Sequence, residues 1–254
     1  MTFPENLDDR AKYIEERVLA GEFDFTWVEL VHEEDGRVLK LFVMEDALKI
    51  DGVRVNVSAR SEQRLADMFD ASLPTAKVAD MMYAHAVRKI LPSPTSISST
   101  VSAMKAHSER IDSMLLQGES SGLLSPVGKH WILDKSLREG KTTACNYGWH
   151  FRGTTFKGIR GYRPVSNVCD YDVSVIQQNA TAHDSAHSDY SQTCQLVCQT
   201  CWVDGETKRF SDILRDPNLA KLVSHTGPLS IDRQPGVQRE VGKIVLPPLV
   251  VTGG

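Results

Sequence analysis

The chain has 254 residues, of which 41% are hydrophobic and 24% charged, which excludes a wholly disordered protein and allows a sizeable buried core. With 29 basic against 33 acidic residues the formal net charge is −4, and nothing in that balance suggests a broad electrostatic footprint for nucleic acid; none is expected as a partner. No apolar run reaches the roughly 20 residues of a membrane span, and the acidic N-terminus lacks the apolar core of a signal peptide; the expectation is a cytoplasmic protein without membrane partners.

The first elements are short and mixed. Leu7, Ala11, Ile14, Val18 and Leu19 recur at helical spacing and stop at Gly21. Phe23, Phe25 and Trp27 then alternate, and a hairpin turns at Glu33–Gly36 into the strand formers of 38–44. A second hairpin turns on Asp51-Gly52. Ser58 or Ser61 caps a helix over 61–71, which Leu73-Pro74-Thr75 breaks. A second helix runs through Val78, Met81, Met82, Ala86 and Ile90, and residues 91–100 form a Pro/Ser/Thr-rich linker. A third helix spans 101–117.

Beyond Gly122 strand patterns dominate, at 130–133, 144–151, 172–178, 194–203 and 241–251. One helix over 211–223 interrupts them, with a break at Asp216-Pro217. No βαβ alternation, glycine-rich phosphate loop or Gly-x-Ser-x-Gly elbow is present, which disfavours a doubly wound nucleotide-binding fold and an α/β-hydrolase. The predicted class is α+β: a helix and hairpin region over 1–95, packed on a predominantly antiparallel, β-rich region over 96–254 that carries the candidate site. Arg152, Lys157, Arg160 and Arg163 form the densest basic group and read as a solvated hairpin face.

Five cysteines, an odd number, predict reduced thiols. Cys194-x-x-x-Cys198-x-x-Cys201 resembles the cluster loop of radical-SAM enzymes. Only residues 202–254 follow it, too few for the barrel such enzymes build. Period-two alternation also puts Cys201 on the strand face opposite Cys194 and Cys198, so these thiols are expected in the core.

Two stretches carry the functional expectation. The polar run 181–192 joins two apolar strands and holds His183, Asp184, His187, Asp189, Tyr190, Ser191 and Gln192. A carboxylate can orient an imidazole that titrates near neutral pH, which is the chemistry of general acid–base catalysis. The same run offers His183, His187 and Asp189 as ligands for a divalent metal such as zinc, provided that the segment is helical. The run lacks the glycine, the Asp spacing and the Glu-x-x-His of the zinc D,D-carboxypeptidase pattern. Its plain reading is a loop whose polar side chains bond their own backbone.

The second stretch, 142–150, gathers Cys145, Asn146, Tyr147, Trp149 and His150 around Gly148. If the two strands pair, Cys145 or His150 faces His183 and Asp189, and a thiol nucleophile, histidine base and Asp189 orienter would follow. The chain order Cys, His, acid resembles that of papain-like and related cell-wall amidases, although their cysteine usually opens a helix whereas Cys145 lies in a predicted strand. Tyr190 with a histidine also suits proton abstraction in a polysaccharide lyase. His130 and His225 are lesser candidates, read as strand-end or loop histidines.

The expected function is hydrolysis of an amide or glycan polymer such as cell-wall material. His183, Asp189, His150, Tyr190 and Cys145 are the catalytic set; Asn146, Tyr147, Trp149, Ser191 and Gln192 contact substrate. The alternatives are a carbohydrate- or peptide-binding structural protein of phage or envelope origin, using the rings of Tyr147, Trp149 and Tyr190, and a metalloprotein using His183, His187 and Asp189.

Overall fold

The computed structural model describes residues 2–115, 121–153, 155–158, 161–164 and 173–239, with the single positions 244 and 249. Its class is α+β. Among the described residues no helix is long and apolar enough to cross a membrane.

Local chemistry sets the helix ends. Helix α1 (Leu7–Leu19) starts at Asn6, whose Oδ1 accepts from the amides of Asp8 and Asp9 at 2.9 and 3.1 Å, and it buries Ile14 and Val18. Ser58 caps α2 (Ala59–Met68), Thr75 caps α3 (Ala76–His85) and Thr100 caps α4 (Val101–Met114). Helices α2, α3 and α4 all end earlier than the apolar spacing predicts. In α3 the chain leaves helical geometry at Ala86, so Ile90 belongs to the extended segment after it. Helix α5 (Phe210–Arg215) stops before Asp216-Pro217, and a short 3₁₀ turn at Ala220–Leu222 follows the predicted break.

Strands β1 (Trp27–Glu34) and β2 (Arg37–Met44) form a hairpin on Asp35-Gly36, with φ of 51° and 75°. Strands β3 (Lys49–Ile50) and β4 (Val53–Arg54) do the same on Asp51-Gly52. Two successive left-handed residues match the strand twist, and Asp-Gly tolerates them. Short strands β5 (Ala71–Ser72), β6 (Arg88–Lys89) and β7 (Leu124–Ser125) come next, the last two paired in parallel.

Two antiparallel sheets organise the rest. In the larger, β2 lies between β1 on one edge and, on the other, β13 (Val197–Cys198) and β14 (Thr200–Val203). Strand β13 continues to β5, and β14 to β15 (Glu206–Arg209) across a turn at Asp204-Gly205. The N-terminal hairpin thus shares a sheet with strands from the far end of the chain: Val43 pairs with Val197 and Lys40 with Trp202.

The smaller sheet carries both sequence clusters. Its order is β12 (Ser174–Asp184), β9 (Thr143–Phe151), β8 (Lys129–Ile132). A hairpin of β10 (Thr155–Gly158) and β11 (Gly161–Pro164) lies between β9 and β12 in sequence. One buried cluster runs through both halves of the chain, from Phe3 to Ile231.

Cys145, Cys194, Cys198 and Cys201 are free and buried, so the radical-SAM-like spacing gathers no cluster site and the thiols pack as hydrophobes. Burial pushes the Cys201 thiol up to about 12. Cys169, Arg160 and the predicted strand 241–251, apart from positions 244 and 249, lie outside the described residues, while Arg152 is exposed.

Candidate active site

Side chains of register partners share a face of a sheet, and alternate residues of a strand face opposite ways. His130 pairs with Tyr147 and Ile132 with Cys145, so these four share one face of the smaller sheet. Lys129 pairs with Gly148 and Trp131 with Asn146, placing Lys129, Trp131 and Asn146 on the other. The alternation then breaks. Gly148 has φ of 136° and Trp149 φ of 57°, a left-handed kink within β9. Beyond it Trp149 lies over Lys129, with Nζ 5.6 Å from the ring centroid, while His150 returns to the side of Tyr147.

On that side stands Asp80, from the middle of α3 and fully buried. Its Oδ1 accepts from the Tyr147 hydroxyl at 2.7 Å and meets His150 Nε2 at 2.8 Å; its Oδ2 meets His225 Nε2 at 2.7 Å. Burial pushes the Asp80 carboxyl up, but the hydrogen bonds from His150, His225 and Tyr147 outweigh it and hold the group below its ordinary value. Tyr83 stacks on His150 at 5.6 Å between ring centroids and fixes its plane. Behind them sits His130, fully buried, with neither ring nitrogen bonded among the described residues; burial, then the charge of His150, drive its imidazole down to about 3.

His225 differs from its two partners in being part-exposed, at 29%. With Tyr147 it lines a cleft of about 460 Å³, against 80 and 10 Å³ for two smaller depressions. Ser224 and Thr226 flank His225; Thr75 and Ala76 bring the first turn of α3; Leu133, Asp134, Gln178 and Asn179 form the remaining wall. Register shifts along β12 between Gln177 and His183 turn that stretch out of regular pleating. Asn179 Nδ2 donates to Asp134 Oδ2 at 2.7 Å, and its Oδ1 accepts from the Cys145 thiol. Burial, then the nearby Asp134 charge, push that thiol up to about 12, so it is no ready thiolate.

The opposite face holds the polar run. Asp189 is held mainly by its own loop: Oδ1 accepts from the Ser191 amide at 2.8 Å and from the Ser191 hydroxyl, and Oδ2 from Gln192 Nε2 at 3.4 Å. Lys129 Nζ lies 3.5 Å and His187 Nε2 3.8 Å from Oδ2. Burial raises the Asp189 carboxyl, but the Lys129 charge and the Ser191 bonds prevail and lower it. Tyr190 donates its hydroxyl to Thr95 O at 3.1 Å and its amide to Ser98 O at 2.9 Å, tying down the linker over 91–100. His183 lies edge-on to Trp131 and stacks on His187, with centroids 4.3 Å apart and planes 9° from parallel. Among the described residues no group of three or more His, Cys, Asp or Glu side chains is arranged to hold a metal ion.

The expected meeting of the two stretches therefore occurs only in part. Trp149 approaches Tyr190 at 6.2 Å between centroids. His150 and Cys145 face away from His183 and Asp189, across the sheet: Cys145 by the ordinary alternation of β9, His150 because the kink at Gly148-Trp149 reverses it. His183 pairs with Ala144, about 20 Å along β9 from His150. Asn146, Tyr147, Trp149, Ser191 and Gln192 are all buried, and only Tyr147 among them lines the cleft. Sequence reading missed Asp80, Asp134 and Asn179 and undervalued His225. One signal was present: Asp80 is a lone carboxylate inside the apolar stretch Val78-Ala-Asp-Met-Met82, and a charged residue there must find partners.

Comparison with protein-family models, with curated proteins and with solved structures finds no match to this chain.

Proposed function

We propose that the protein is a hydrolase acting on an amide-linked polymer bound in the cleft beside His225. The observation that carries this reading is the Asp80–His225 pair, a buried carboxylate joined to an imidazole that opens on the cleft of about 460 Å³. With Nε2–H donating to Asp80, Nδ1 of His225 is left as a bare acceptor. It takes a proton from water as the water attacks the carbonyl, and the resulting imidazolium, stabilised by Asp80, returns the proton to the leaving amine. The first turn of α3, at Thr75 and Ala76, favours the negative charge that develops on the carbonyl oxygen. Tyr147 and His150 both bond Oδ1 of Asp80 and hold it in place.

Two features favour an amide over a glycan. Glycosidases generally flank the scissile bond with two carboxyl groups, whereas among the described residues lining this cleft Asp134 is the sole carboxylate. The rings that suit a sugar platform, Tyr147, Trp149 and Tyr190, are at most 6% exposed. The test is turnover of a panel of peptides and amide-linked cell-wall fragments by the wild type, His225→Ala and Asp80→Asn. Each variant should lose at least about 100-fold in kcat. Turnover retained by both variants would dismiss this reading.

A further inference from the structure

Five carboxylates are buried among the described residues, and four of them meet a cation or an imidazole or lie wholly enclosed, away from the cleft. Asp46 is paired with Arg54 and Lys49 at 2.7 and 2.9 Å. Asp80 meets two imidazoles, and Asp189 meets Lys129. Glu62 is wholly buried, and burial drives its carboxyl well above its ordinary value. Asp134 is the fifth, at 8% exposure. Its Oδ1 accepts from the Ser136 amide at 2.8 Å and its Oδ2 from Asn179 at 2.7 Å, both uncharged donors. No lysine or arginine pairs with it among the described residues, and none lines the cleft into which it opens.

A buried carboxylate without a counter-charge is costly unless something supplies one, and each Asp134 oxygen keeps a lone pair beyond the bond it already accepts. We infer that the substrate carries a primary ammonium group that docks on Asp134, so the cleft selects cationic peptides or amides. This deepens the hydrolase reading, since it assumes that the same cleft takes the substrate. Asn179 is the positioning residue. Its amide holds Asp134 from one side while its oxygen accepts from Cys145, so neither group is free to turn the carboxylate away from the cleft.

The experiment is equilibrium calorimetry with the full chain and blocked alanyl-lysyl-alanine amide, its acetyl-lysine analogue and its glutamyl analogue. The lysyl peptide should bind at least tenfold more tightly than the acetylated one, lose affinity as salt rises from 50 to 300 mM, and outbind the glutamyl peptide by more. Asp134→Asn should erase the preference. Equal affinity of the wild type for charged and acetylated peptides overturns the inference without any variant, so misfolding of Asp134→Asn leaves it testable. Binding of a glucosamine tetramer in preference to the lysyl peptide overturns the peptide assignment. The His225→Ala variant separates the two claims. Its retention of the charge preference with turnover lost supports both. Charge preference in a wild type that turns over no amide sinks the hydrolase reading and leaves the ammonium site standing.

Discussion

The two faces of the sheet β12-β9-β8 present the same residue types to different ends. Each face has a buried aspartate, histidines and a tyrosine. On the Asp189 face the carboxylate bonds mainly within two or three residues of itself, to Ser191 and Gln192, with Lys129 at 3.5 Å as a long-range partner, and Tyr190 fastens the 91–100 linker. On the Asp80 face every partner comes from another element, at separations of 67 to 145 residues. The first is an arrangement that builds a turn. The second costs loop entropy and packing, and it leaves one imidazole facing a cleft. Density of titratable groups along the chain is therefore a weaker sign of a site than where their hydrogen bonds go.

The largest expected effect tests that contrast directly. His225→Ala and Asp80→Asn should each cost about 10² to 10⁴ in kcat, while His183→Ala leaves kcat within a few-fold. A reversed order in steady-state kinetics would exchange the roles of the two faces. Next in size is Gly128→Ala, where a Cβ would stand 2.4 Å from Ser191 O and 2.7 Å from Thr193 Oγ1. Backbone must move, and denaturant unfolding should show a loss of about 3 kcal/mol. Unchanged stability would mean that the contact between Gly128 and the 191–193 segment yields easily.

Two buried groups, His130 and Glu62, should respond to pH in opposite senses. The folded pKa of His130 is lowered to about 3, so its contribution is present above the unfolded value of about 6.5 and is lost as pH falls through that interval. Glu62 has a folded pKa raised well above 4.5, so its contribution is complete below the unfolded value and is lost as pH rises toward the folded one. Each group has a limiting slope of about 1.4 kcal/mol per pH unit. Unfolding from pH 4 to 9 should show Glu62→Gln gaining on the wild type as pH rises; a constant difference would refute the assignment. The smallest effect is expected for Cys145→Ala, with kcat within about threefold, because the thiol is pushed up to about 12 and bonded to Asn179. A loss of 100-fold would restore the thiol-nucleophile chemistry.

Much of the framework was readable in the sequence. The cap at Ser58, the turns at Asp35-Gly36 and Asp51-Gly52 and the break at Asp216-Pro217 are stereochemical choices of a few residues, legible without a partner. The α+β class followed from the same signals. The helix ends were less legible, since apolar spacing runs on beyond Ala86 although the backbone turns extended there.

The site was hardly legible, and the reason is geometric. Period-two counting puts Trp149 with Tyr147, yet two positive φ angles reverse the order and send His150 to Asp80 instead. Nothing near Asp80 in the sequence names His225, and nothing near Val43 names Val197. The sequence by itself determined the local elements, because caps and turns depend on sterics within a few bonds. Tertiary structure alone decided which carboxylate meets which imidazole and which pair faces open space. Strand register and sheet face are settled only by burying apolar surface from distant segments together.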